Sequence, residues 1–308
     1  MSVTAGSGLP DGRVVVPGDG EWPPRLGEIG PLSCPKRLYA QGRGLEPETP
    51  SIAVVGTRRP TAAGIEAAHT IARGLAEAGF VIVSGLAVGV DAAAHHACVE
   101  AGGHTVAVLG CGLDVDYPHR NRALRRRIAA TGTIVSEYPA GTQPLRHNFP
   151  LRNRIIAGLS LGVVVVEGAI TSGALVTARL ALDANRTVYA VPGSIRNGMA
   201  TGPNELIRTS QAALVTSYED ILEDLAPALE WARPRQLTEA NRPVVGPDEL
   251  SVLQSLDDAP IAADRLAPMV ALSPGSLAAT LARLEVRGLA MRSSGGYVIT
   301  AAGARCRP

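Results

Sequence analysis

The chain has 308 residues, 46% of them hydrophobic and 3% aromatic, with a formal net charge of +1. That length suits one large domain plus a small one, and the apolar content is ample for a core. A nucleic-acid role cannot be read from the near-zero total charge, and with neither a membrane-spanning apolar stretch nor a signal peptide the chain reads as cytoplasmic.

Met1 to Gly20 is rich in Gly, Pro and Ser and predicts a disordered tail over 1–21. Trp22 to Gly42 carries spaced apolar residues (Trp22, Leu26, Ile29, Leu32, Leu38, Tyr39) and reads as an irregular segment on the edge of a domain spanning 22–226. After a linker at Gly44–Pro50, the stretch Ser51 to His96 organises the rest. Two short Val/Ile-rich runs, Ile52–Val55 and Phe80–Ser84, flank a helical stretch at Ala62–Ala78. Strands buried on both faces read this way, and strand, helix and strand within this span make a parallel βαβ unit. Ligands of such sheets bind beyond the carboxyl ends of the strands.

The loops at that edge suit an anion. Gly56 permits a tight turn, Thr61 can cap the next helix, and Arg58 and Arg59 supply planar forks for phosphate oxygens. Gly85 and Gly89 permit close backbone approach after Ser84, and Asp91 reads as the N-cap of a helix at Ala92–Ala101. No G-x-G-x-x-G and no G-x-x-x-x-G-K-[ST] occurs, so neither a dinucleotide nor an ATP site is indicated, and no cofactor is expected.

Thr105–Leu109 reads as a third strand, followed by a loop through Tyr117-Pro118 and a helix over His119–Thr131 rich in arginine. Its start, His119, Arg120 and Asn121 with Arg122, lies nearest the edge, while Arg125, Arg126 and Arg127 read as a solvated face. Thr133–Ser136 is a short strand, and Glu137–Pro150 a Pro-rich loop leading to a helix at Ile155–Leu159. Phe149 lies near that pocket ahead of the helix, and Arg152 and Arg154 with Asn153 at the helix start point at the same anion. Leu161–Val166 is a central strand ending at Glu167, and Ser172-Gly173 open a helix at Ala174–Ala184. Thr187–Val191 is a further strand, and short helices at Asn204–Ser210 and Ser217–Leu225 surround a last one at Ala213–Val215.

Pro227–Pro247 is a Pro-rich polar linker. Asp248–Ala259, Ile261–Met269 and Ser273–Arg287 read as helices and Met291–Thr300 as a hairpin, which makes 248–308 a winged helix. Between Ser51 and Ser160 arginines outnumber acids; between Glu219 and Asp264 acids outnumber arginines. Lys36 is the only lysine, so every other fixed cation is an arginine. Cys34, Cys98, Cys111 and Cys306 form no C-x-x-C pair, which argues against disulfides and a zinc site.

Gly56-Thr57-Arg58, Ser84-Gly85-Leu86-Ala87-Val88-Gly89-Val90-Asp91 and Phe149-Pro150-Leu151-Arg152-Asn153-Arg154 closely resemble motifs of the DNA-processing protein A family, DprA, also called Smf. Val108–Asp114, Tyr117-Pro118, Ile155–Ser160, Val166-Glu167, Ser172–Leu175, Thr177-Ala178 and Ala190–Ser194 follow in family order. The resemblance implies an extended Rossmann-like, three-layer α/β domain with a parallel-rich sheet that binds single-stranded DNA. It implies protection of incoming DNA in natural transformation and help in loading the RecA recombinase. Carried over residue by residue, the pocket includes Arg58, Arg152 and Arg154, with His119 standing where the family has a lysine. The resemblance also implies a homodimer through about Asn204–Leu225. There Leu206 and Ile207 read as interface residues, and Leu214 and Val215 as core.

Two other readings stay open. Part of the fold resembles nucleoside-monophosphate phosphoribohydrolases, although Glu167–Gly173 stands where those carry P-G-G-x-G-T-x-x-E. Asp91, Asp114, Asp116 and Glu167 fall near strand ends, each with an alternative role as cap or turn residue; His95 and His96 project about 100° apart on a helix, a poor metal pair. The winged helix offers only Arg283 and Arg287 on its expected recognition helix, so it reads equally as a duplex-DNA or a protein-contact module.

Overall fold

The computed structural model describes residues 12–30, 33–226, 245–257, 260–270, 272–293, 295–300 and 306. Contacts divide the chain into two compact units, 1–233 and 234–308.

The Val/Ile runs of the first unit do become strands, all in one nine-stranded sheet. In chain order the elements are β1 (Gly12–Val15), a 3-10 helix (Pro24–Ile29), β2 (Leu38–Gly42), β3 (Ser51–Val55), α1 (Ala62–Glu77), β4 (Val81–Ser84), α2 (Val90–Glu100) and β5 (Thr105–Leu109). A 3-10 turn (His119–Asn121) then leads to α3 (Arg122–Thr131), β6 (Thr133–Ser136), α4 (Asn148–Leu159), β7 (Gly162–Val165) and α5 (Gly173–Asp183). Finally come β8 (Thr187–Ala190), α6 (Thr201–Arg208), β9 (Ala213–Leu214) and α7 (Tyr218–Leu225). The sheet order is β1-β2-β6-β5-β4-β3-β7-β8-β9. All pairs from β6 to β9 are parallel; β2 joins β6, and β1 joins β2, antiparallel. The run β5-β4-β3-β7-β8-β9 is the doubly wound order, with its switch point between β3 and β7.

Alternation along the strands makes the three layers. Ile52 and Val54 of β3 pack with Ala68, Ile71, Ala72 and Leu75 of α1, which recur at helical spacing on one face. Ala53 and Val55 point the other way, into the layer of Ile155, Ile156, Ala174 and Ala178 from α4 and α5. Leu124 and Ile128 of α3 cover Ala107 and Leu109 of β5. Both faces of the central strands are therefore covered, as their unbroken apolar runs required.

Three expectations need correction. The tail expected over 1–21 lies outside the described residues only to position 11. From Gly12 it forms β1, fixed by Val15 in the core and by the Arg13 guanidinium on Glu21 (Nη2–Oε2 2.8 Å). The irregular segment after it contains a full member of the sheet, β2; Leu32 lies outside the described residues. Helix α4 begins at Asn148, seven residues before the expected Ile155. Pro150 falls in its first turn, where a missing N–H has no partner to lose, so the proline does not delay the helix.

The second unit is three helices and a hairpin: α8 (Pro247–Ser255), α9 (Ala263–Leu266), α10 (Pro274–Val286), β10 (Ala290–Ser293) and β11 (Gly296–Ile299). Val252, Leu253, Leu266, Leu277, Leu281 and Leu284 form its core. The expected linker lies outside the described residues up to 244, and Pro247 already opens α8.

Candidate nucleic-acid interface

At the carboxyl edge, the loops after β4 and β5 and the first turn of α4 enclose a cleft. Gly85, Ala87 and Val88 form one wall, Gly110, Cys111, Tyr117 and Pro118 another, and Phe149 and Arg152 of α4 the third; Arg58 reaches in from the loop after β3. The cleft thus sits over β4 and β5, to one side of the β3/β7 switch point. Its centre is an aromatic stack. The Arg58 guanidinium lies over the Phe149 ring, 5.4 Å from the centroid, and the Tyr117 ring lies 5.5 Å from Phe149 with planes tilted by 38°. A Cβ on Gly110 would stand 3.0 Å from the Phe149 ring, so glycine makes the room.

The structure brings Arg58, Gly85, Phe149 and Arg152 to this cleft. Arg59, His119 and Arg120 are exposed, and Arg58, Arg59 and Arg120 have no carboxylate partner among the described residues. Arg146 and His147, exposed in the loop just before Phe149, were missed by the sequence reading. Their proximity follows from the early start of α4, which no local pattern announced. Tyr117 also lines the cleft, although the sequence reading had it only in the Tyr117-Pro118 motif and not among the binding residues.

Other expected binding residues hold the scaffold instead. Ser84 is fully buried, its hydroxyl donating to the Val54 carbonyl at 2.7 Å. Asn121 is buried and donates to the carbonyl of Leu86 (2.9 Å), a residue held at φ +54°. The Arg154 guanidinium binds both oxygens of Glu137 (2.7 Å) and the Ser33 carbonyl (2.7 Å). Asn153 donates to the Gly173 carbonyl at 3.3 Å, tying α4 to the start of α5, and Ser172 and Gly173 do not line the cleft. Arg125, read as a solvated residue, turns inward onto the carbonyls of Leu113 and Val115. Gly89 sits at φ +92° against the Thr57 carbonyl, where a side chain would be both strained and obstructed.

The starts of α1 and α2 also differ from expectation. Thr61 caps α1, its hydroxyl accepting from Gly64 N at 3.1 Å. Yet the anion at that helix start is the protein's own. The carboxylate of Glu167, from the end of β7, accepts from Thr61 N (2.9 Å), the Thr61 hydroxyl (2.7 Å) and Asn197 Nδ2 (2.9 Å). Gly56 leaves space for the Glu167 backbone, whose carbonyl accepts from Thr57 N at 2.7 Å. At α2, Gly89 takes the cap position expected of Asp91. The Asp91 carboxylate instead accepts from Gly85 N (3.1 Å) and Ala87 N (3.3 Å). Burial pushes its pKa above the usual carboxylate range, against the pull of nearby Arg152.

In the winged-helix unit, Glu249 of α8 pairs with both Arg287 (2.7 Å) and Arg283 (3.6 Å). The two arginines of the expected recognition helix are therefore held against their own unit. Among the described residues no helix is long and apolar enough to cross a membrane.

The family model described as DNA recombination-mediator protein A matches residues 13–226, and one described as DprA winged helix domain matches 236–296. The protein Smf of Synechocystis sp. is 37% identical over 316 residues, covering 92% of this chain and 79% of that protein. The DNA processing protein A of Streptococcus pneumoniae superposes with a TM-score of 0.65 at 43% identity, over 68% of this chain and 73% of its own. The DNA processing protein A of Helicobacter pylori, described for its single-stranded DNA binding mode, superposes with a TM-score of 0.64 at 30% identity, over 74% and 99%. With a match spanning its whole sheet domain, the chain belongs to the DNA recombination-mediator protein A family.

Proposed function

We propose that this chain binds single-stranded DNA in the cleft over β4 and β5. In that role it would protect incoming DNA during natural transformation and help load a RecA recombinase. The observation that carries the binding reading is the stack of Arg58 on Phe149 beside Tyr117, with further exposed cations around it. An aromatic face pairs with a base only when that base is unstacked, which a single strand permits and a duplex does not. The guanidiniums take phosphate oxygens without reading sequence. The single-strand binding of the H. pylori relative agrees with this. The nucleotide-hydrolase reading gains nothing from the edge carboxylates. Asp91 and Glu167 hold backbone N–H groups, Asp114 accepts from Gly141 N (2.8 Å), and Asp116 pairs with Arg122 (2.6 Å).

Gel shifts with single- and double-stranded oligonucleotides over a salt series test the reading. Tighter binding to the single strand is expected, with a log–log salt slope of about −0.7 for each phosphate neutralised. Tighter duplex binding, or a flat salt response, rejects it.

The chain is further proposed to act as a homodimer, since two linked clefts hold one strand better than one. Leu206 is a poor interface candidate, because it is 5% exposed within the core. Ile207 is half-buried, and Leu214, expected in the core, is 51% exposed on the two-residue edge strand β9. Light scattering at micromolar concentration is expected to give twice the chain mass, and Leu214→Glu is expected to halve it. A monomer throughout rejects the dimer.

A further inference from the structure

The residue types at the start of α4 suggest phosphate contacts, but Arg152 is only 4% exposed. Its Nη1 donates to the carbonyl of Gly85 at 2.8 Å and to the carbonyl of Val108. Those carbonyls belong to the carboxyl ends of neighbouring strands, β4 and β5. One guanidinium therefore spans both strand ends at the wall of the cleft, its Nη1 turned onto their carbonyls. A Cβ on Gly85 would overlap that guanidinium, so the glycine is what lets it lie there. Gly85 is gripped from both sides, its carbonyl by Arg152 and its N–H by the Asp91 carboxylate. One turn back along α4, Asn148 Nδ2 donates to the carbonyl of Gly110 at 3.0 Å, holding the opposite wall. Phe149, whose ring faces Arg58, stands between these two anchors on the same turn.

We infer that Arg152 is a positioning residue: it fixes the Gly85 and Val108 strand ends against α4, so that Phe149 meets Arg58 across the cleft, and it neutralises no DNA phosphate. The inference rests on the cleft being the single-strand site. It separates two arginines that the sequence presents alike. Arg58 acts on the strand, and Arg152 acts through Phe149 and the loop walls. The Asp91 carboxylate beside it supplies its counter-charge, so burial lowers the Arg152 pKa only to about 10 and the group stays cationic at neutral pH.

The test is a fluorescence titration of the full chain with a labelled oligothymidylate over a salt series. Wild type, Arg58→Ala, Arg152→Gln, Gly85→Ala and Phe149→Ala are compared, with circular dichroism to count folded molecules. Arg58→Ala is expected to reduce the steepness of the log–log salt slope by about 0.7. Arg152→Gln is expected to weaken binding per folded molecule by roughly tenfold, the scale of one lost charge-assisted hydrogen bond, at the wild-type slope. Gly85→Ala displaces the guanidinium without removing it. It should weaken binding similarly, and serves if Arg152→Gln does not fold. In a Phe149→Ala background, either substitution should cost at most about twofold more, because the ring it positions is gone. A purely structural role would lower the folded fraction without this coupling. Loss of a full phosphate's slope in Arg152→Gln overturns the inference, as does unchanged affinity or full additivity with Phe149→Ala. If wild type itself shows no salt-dependent single-strand binding, the cleft reading fails first.

Discussion

Arg58→Ala is expected to weaken single-strand binding by roughly 1–3 kcal/mol, or about 5- to 150-fold, the range for a lost charge-assisted hydrogen bond. That loss is the guanidinium's expected hold on a phosphate, since its stack on Phe149 is already made in the free protein. Because Arg58 is exposed and has no ion-pair partner among the described residues, the fold should lose no more than that stack, about 0.5–1 kcal/mol at an exposed site. Arg58→Lys keeps a point charge and loses the planar stack, so it should fall between the two. Titrations at two salt concentrations decide the matter. An Arg58→Ala chain with wild-type affinity would remove this residue from the site, whatever the rest of the cleft does.

Acid is expected to destabilise the sheet domain through His95. This side chain is fully buried on α2, and its Nδ1 lies 2.7 Å from the Thr105 hydroxyl. Thr105 has one hydroxyl proton, which goes to the Ile82 carbonyl at 2.7 Å. The hydroxyl therefore accepts, so Nδ1 carries the histidine proton and Nε2 holds a bare lone pair with no partner among the described residues. Protonating Nε2 would place a charge in the core near Arg152, and burial accordingly lowers the His95 pKa from 6.5 to about 3. The unfolded chain binds this proton below about pH 6.5 and the folded chain does not until about pH 3. Stability is thus intact above that window and falls with pH inside it, by up to about 1.4 kcal/mol per pH unit. About 2–3 kcal/mol should be gone at pH 4.5. Asp91 works in the opposite sense, since its carboxyl is raised by burial and its protonation favours the folded state. Comparison with His95→Gln isolates the histidine. Urea midpoints at pH 7 and pH 4.5 should lie closer together for that variant than for wild type. Equal separations would show that the acid sensitivity arises elsewhere.

The layered fold was legible because β3, β4, β5 and β7 are covered on both faces and must be apolar throughout. Thr105–Leu109 and Thr133–Ser136 were readable to the residue for that reason. Strand β1 was not, because its run Val14–Val16 is short and set between Gly12 and Pro17 in a Gly- and Pro-rich stretch, and this edge strand puts only Val15 in the core. The site was half legible. Sequence placed Arg58, Gly85, Phe149 and Arg152 at one edge, and they do meet there. What it could not supply is depth. An arginine near a helix start can reach out, as Arg58 does, or inward to carbonyls, as Arg152 does, and the residue type is the same. Depth depends on which partners the finished sheet brings within reach, such as Glu137 for Arg154 or Val108 for Arg152. The late onset expected for α4 had the same origin, since Pro150 reads as a breaker until its place in the first turn is known.

The Glu167 carboxylate at the start of α1 has a consequence for competition. In a sheet of this strand order, the crevice beside the first helix is where a mononucleotide would seat its phosphate. Here a side chain of the same charge already sits there, bonded to Thr61 and Asn197, with Gly64 shaped to admit it. The nearest aromatic platform lies one strand over, above β4 and β5. A strand-handling protein works amid free nucleotides that carry the same phosphates and bases as its polymer. With Glu167 in that crevice, the start of α1 offers a small nucleotide's phosphate no open seat. If the cleft over β4 and β5 is the strand's site, length would be the basis of discrimination: a polymer would span several weak contacts at once, and a monomer would meet one.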